Sequence, residues 1–132
     1  MQNLRHRRGQ SLVETAIALP ILLVMTAGVA QFGFIYFVRA SVDNAAREGA
    51  RYGSLHSGDP VGSAAAVRAT VMGVDPASLT IDVTCPDAGG CVVPNRVRVD
   101  VTYPLATFWL FPASGDYVTS ASMRIERHDT VS

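Results

Sequence analysis

Apolar residues in the first third of the chain do not alternate with polar ones; they run together. From Thr15 to Val38 there is no charged residue. At about 1.5 Å of rise per residue this run of 24 would span about 36 Å as a helix, against a hydrocarbon core of about 30 Å. The pattern from Arg5 to Gly53 predicts one long helix, with the uncharged part crossing a membrane. Pro20 lies inside that run, where it removes one backbone donor and crowds the preceding turn, so a kink or loosening is expected there.

Beyond Val38 the helical period continues but the composition changes. Asp43 and Arg47 stand four apart, while Ala45, Gly49 and Gly53 line one face at four-residue spacing, beside Ala46 and Ala50. One side of the helix is charged and the other is made of small residues. Small residues at this spacing let another helix backbone approach closely in a membrane. The same face could equally pack against the chain's own sheet, and the sequence leaves both readings open.

After Gly53 the period changes again. Ser54 to Gly62, rich in Ser, Gly and Pro, reads as a loop. Asp59-Pro60 can serve as N-cap and first residue of a second helix, with Ala64, Ala65, Val67, Val71 and Met72 as its apolar side and Gly73 as its stop. Leu79–Cys85 and Arg96–Tyr103 alternate apolar and polar residues strictly, which predicts two half-buried strands, the second stopped by Pro104. Ala121, Met123 and Ile125 alternate with Ser122, Arg124 and Glu126 as a third. Leu105–Phe111 is almost wholly apolar and ends at Pro112, so it is expected to cover the core or dip toward a membrane surface. The fold class is α+β: a long N-terminal helix carrying, over residues 54–132, one small domain with an antiparallel sheet of about three strands on the helix's outer half.

Charge sets the orientation. Arg5, Arg7 and Arg8 crowd the N-terminal side, whereas Arg39, Arg47 and Arg51 are interleaved with Asp43 and Glu48. The positive-inside bias keeps the N-terminus cytoplasmic and exports the rest. A secretory signal cut after Val38-Arg39-Ala40 is the rival, but secretory apolar regions run to only about 7–15 residues and leave Glu14 unexplained. Arg7-Arg8 as a twin-arginine signal rests on a bare dipeptide. Glu14 itself borders the apolar run, where a carboxylate costs up to about 3 kcal/mol at mid-bilayer and less near the interface. It either sits at the interface, favouring the helix N-terminus electrostatically, or has a function.

Gly9-Gln10-Ser11-Leu12-Val13-Glu14 resembles the class III signal of type IV prepilins, in which a prepilin peptidase cuts after a glycine and a glutamate is fifth in the mature chain. The resemblance implies cleavage between Gly9 and Gln10, a basic leader over residues 1–9, and Glu14 as the glutamate that meets the new terminal amine of a neighbouring subunit. The longer string GQSLVETAIALPILLVMTAGVAQFGFIYFVRASVDNAAREGARYG, with Pro20 and its NAAREGARYG close, is similar to the TadE-like minor pseudopilins of tight-adherence (Tad) pilus systems. That likeness covers roughly residues 1–53. It implies a structural protein of the bacterial cytoplasmic membrane, acting in pilus assembly for adherence or secretion, with other pilins or pseudopilins and the Tad assembly platform as partners. The helix-on-sheet plan is also that of type IV pilins. An unprocessed single-pass protein whose exported domain binds a ligand or scaffolds an envelope complex is the alternative.

Composition narrows the chemistry. All eleven cations are arginine, which with the many Ala, Val and Gly residues points to a GC-rich bacterial genome. The whole chain carries eleven basic and eleven acidic residues, so loss of the three leader arginines leaves a mildly acidic mature chain and argues against nucleic-acid binding. Cys85 and Cys91 bracket a turn-like loop on the exported side, where an oxidising compartment favours a disulfide. Free thiols are the alternative, and a zinc site is disfavoured because Cys-x5-Cys lacks tight paired spacing. His6, His56 and His128 are far apart, and no nucleophile elbow, phosphate-cradling loop or paired-carboxylate site is visible. No catalysis, cofactor or small-molecule substrate is expected.

Overall fold

The computed structural model describes residues 3–105 and 115–126. His6 is described in its backbone alone; residues 106–111 of the apolar run, Pro112 and His128 lie outside the described residues. The elements run α1 (Asn3–Leu55), α2 (Pro60–Thr70), a 3-10 turn (Pro76–Ser78), β1 (Thr80–Thr84), β2 (Arg96–Leu105) and β3 (Gly115–Arg124). The chain divides into two compact units, residues 1–35 and 36–132, and α1 enters both.

In the first unit α1 is continuous through Pro20. Thr15 and Thr26 keep their hydroxyls on the helix, each donating to the carbonyl four residues back, Ser11 at 2.9 Å and Leu22 at 2.8 Å. Such back-bonding lets hydroxyls lie in an apolar helix without an open donor. Leu12, Ile17, Leu22, Met25 and Val29 are all exposed, and none of the apolar span window is buried. A helix apolar all round is stable only in lipid or among other helices.

In the second unit the remaining turns of α1 pack with α2 on one face of an antiparallel sheet ordered β1-β2-β3. Val97, Val99 and Val101 of β2 point inward and are fully buried, with Ile81, Val83, Tyr103, Tyr117, Ala121 and Met123 around them. Arg96, Arg98, Ser120, Ser122 and Arg124 occupy the open face. This inward and outward division follows the period of two.

Several boundaries differ from the sequence reading. Helix α1 runs on to Leu55 and α2 starts at Pro60, so the intervening loop is shorter than Ser54–Gly62. Asp59 caps α2 as expected, accepting from the backbone N–H of Val61 and of Gly62, both at 3.1 Å. Its buried side is Ser63 and Val67, whereas Ala65 is exposed. The helix ends at Thr70, because Val71 is extended (ψ 139) and turns Met72 outward to 67% exposure. Strand β2 passes through Pro104, which pairs with Asp116. Strand β1 already ends opposite Thr102, so this proline sits where the sheet has only two strands and one ladder fewer to break. Strand β3 starts at Gly115, well before Ala121.

Candidate functional site

Gly9 and Gln10 lie within the helical backbone of α1. Glu14 follows a turn later, exposed, on a face continued by Ala18, Leu22 and Met25. That face is an open surface of a single helix, and among the described side chains Glu14 is its one charge. Among the described residues no ion pair is made by this carboxylate.

The small-residue face has a definite use. Ala45, Gly49 and Gly53 are all buried. A Cβ on Gly49 would run into the Val67 Cγ2 atom of α2 and lie 3.1 Å from the Ser63 carbonyl; one on Gly53 would lie 2.7 Å from Ser63 Oγ and 3.1 Å from Val97. The face therefore packs on the chain's own α2 and β2, the second of the two readings the sequence left open. Four residues of helix advance about 6 Å and two of strand about 6.6 Å. Gly53 against Val97 and Gly49 against Val99 follow from that near match, with β2 antiparallel to α1.

At the C-terminal end of α1, Cys85 and Cys91 form a disulfide with Cα atoms 5.3 Å apart. It rests on Gly58, at φ +75, where a Cβ would fall 2.7 Å from Cys91 Sγ. Only glycine fits both this backbone and this gap. Asn95 Nδ2 donates to the carbonyls of Ala88 (3.1 Å) and Gly90 (2.8 Å), and the Arg96 N–H donates to Asp87 at 2.7 Å. The loop is thus closed by side chains as well as by sulfur. Beside it Tyr52 and His56 stack at 4.0 Å, and His56 Nδ1 lies 2.9 Å from the Tyr52 carbonyl.

Toward Tyr36 a second cluster joins α1 to β3. Tyr117 donates its hydroxyl to Asp43 at 3.0 Å, and the Arg39 guanidinium stands 5.2 Å from its ring centroid. Asp43 is therefore engaged across the domain with β3, and the i,i+4 spacing to Arg47 is not what uses it. Burial, then the neighbouring Asp43, pushes the Tyr117 phenol above its ordinary pKa, with Arg39 opposing. Sequence reasoning missed this cluster because 74 positions separate its members. Gly58 was likewise hidden, since its neighbour is a cysteine far along the chain. Among the described residues no three His, Cys, Asp or Glu side chains converge on a point that could hold a metal.

With this geometry in view, residues 9–51 match the family described as TadE-like protein, the family whose likeness the N-terminal motifs carry. The matched segment supports a Tad-pilus-related protein, and the long apolar helix suggests a membrane-anchored one. No curated protein and no solved structure matches the chain.

Proposed function

We propose, with the TadE-like segment as premise, that this chain is a minor pseudopilin of a Tad-type pilus. It inserts in the cytoplasmic membrane with its N-terminus inside, and a prepilin peptidase cuts between Gly9 and Gln10. The trimmed helix then packs among those of other pilins or pseudopilins at the assembly platform, while the domain after Gly53 faces outward. Its role is structural, with no catalytic site and no cofactor.

The observation that carries this reading is the unburied apolar helix with a single acid near its start. An isolated anchor needs no carboxylate there, and the group costs free energy unless something meets it. The new amine of Gln10 on a neighbouring subunit would meet it, and the low dielectric would strengthen the pair. N-terminal sequencing of the membrane-extracted protein tests the proposal: a chain beginning at Gln10 supports it. A chain keeping its leader, in a strain whose prepilin peptidase is active, makes the protein an unprocessed single-pass anchor instead.

A further inference from the structure

The turn leaving α2 is tied to α1 at two points. The Met72 N–H donates to Ser41 Oγ at 2.7 Å. Gly73, at φ +78, lies under the Phe37 ring, where a Cβ would fall 2.7 Å from Phe37 Cε1. The turn is held there, yet what it presents is apolar: Met72 is 67% exposed and Phe37 49%, with Tyr36 beside it at 75%. An exposed thioether on a braced turn, beside aromatic rings at the end of α1's uncharged run, calls for a covering phase.

Its position says which phase. The uncharged run ends at Val38 and Arg39 is the first charge after it. Ser41, to which Met72 is bonded, is three residues past Val38, about 4.5 Å along the helix. The headgroup layer on each side of a bilayer is about 5–7 Å thick, from about 40–45 Å in all less a core of about 30 Å. With the end of the uncharged run set at the core's edge, Ser41 and the turn bonded to it come level with that layer. Tyr36 and Phe37 suit the same depth, because aromatic rings concentrate at the membrane interface. The exposed Val92 belongs to the other end, in the disulfide loop that packs beside Gly58. The 14 residues from Ser41 to Leu55 put that end about 21 Å further along α1.

We infer that this turn is a membrane-contacting foot: Met72, with Phe37, lies in the headgroup–acyl boundary of the leaflet from which α1 emerges. The occupant is the lipid surface itself. The inference rests on the membrane-anchored reading of α1 and adds a second, shallow contact that fixes which side of the exported domain faces the bilayer.

Fluorescence in vesicles tests it on the full chain. The only tryptophan is removed by Trp109→Phe, and a probe is placed by Met72→Trp or, as the distal control, Val92→Trp. Each protein is reconstituted in phosphatidylcholine vesicles with or without bromine at shallow acyl positions. A foot lying about 5–10 Å into the boundary predicts that bromine removes roughly half of the Met72→Trp emission and leaves Val92→Trp nearly unchanged. Equal, weak quenching of both probes in protein that floats with the vesicles overturns the inference. Protection of Met72→Trp from acrylamide without bromine quenching also overturns it, and assigns the turn to a protein partner or a second copy. Failure to float at all removes the anchor reading together with this one. A nitroxide on Met72→Cys, compared for oxygen and nickel accessibility, gives the depth without a bulky ring: greater access to nickel than to oxygen counts against the foot.

Discussion

The Tyr117 hydroxyl donates to the Asp43 carboxylate at 3.0 Å, and this one bond joins the start of β3 to α1. With Arg39 over the ring, it holds the β2–β3 pair against the helix at the end of the domain where the apolar run stops. Phe in place of Tyr117 keeps the ring and loses the bond. Tyr117→Phe should lower stability by about 1 kcal/mol, because the Asp43 carboxylate loses the hydroxyl that donates to it. Thermal unfolding followed by circular dichroism measures it, and no change in midpoint would show the bond to be without weight.

The same tyrosine sets a pH dependence. Its folded-state pKa is raised, so at alkaline pH the native protein keeps a proton that the unfolded chain has lost. The resulting stability is whole below about pH 10 and falls as pH rises through the folded value. Absorbance at 295 nm should show a phenol titrating above the ordinary tyrosine value, and that late phase should be missing in Tyr117→Phe.

Gly49 and Gly28 separate packing from helix propensity. Alanine is favoured over glycine by about 1 kcal/mol inside a helix. A methyl group at Gly49 meets Val67 and the Ser63 carbonyl, whereas one at Gly28 meets nothing within 4 Å. Overpacking costs about 1–3 kcal/mol, which outweighs the propensity gain. Gly49→Ala should therefore lower the unfolding midpoint of the exported domain, and Gly28→Ala should leave it where it was.

Ser63 Oγ is fully buried with no hydrogen-bond partner among the described residues. An unmet buried hydroxyl costs about 1–3 kcal/mol, and alanine is also the better helix former. Ser63→Ala should raise stability by about 1 kcal/mol. A fall in the midpoint would mean that the hydroxyl has a partner in the folded protein.

Glu14→Gln keeps shape and removes charge. Insertion should be unaffected or eased, since a costly group has gone from the membrane edge. Processing to Gln10 should persist while pilus number falls sharply. Membrane abundance, N-terminal sequence and pilus count in one strain check this together: normal values for all three would make Glu14 an interfacial residue only.

What the sequence determined by itself was whatever depends on near neighbours. An uncharged run of 24 residues, Asp59-Pro60 at a helix start, and the strict alternations of β1 and β2 each act within a few residues, so composition and period are enough to read them. Period reports that a face is covered and is silent about what covers it. Only the tertiary structure decided that Ala45, Gly49 and Gly53 meet α2 and β2 of their own chain, because helix rise and strand rise come into step there. It decided too that β3 begins at Gly115. Tyr117-Val118-Thr119-Ser120 breaks alternation, and those residues become a strand through pairing with β2, from Tyr117 opposite Tyr103 to Ser120 opposite Asp100. The outward turn of Met72 has the same origin. One extended residue, Val71, ends the helical period, and a hydrogen bond to Ser41, 31 positions back, fixes where the next side chain points.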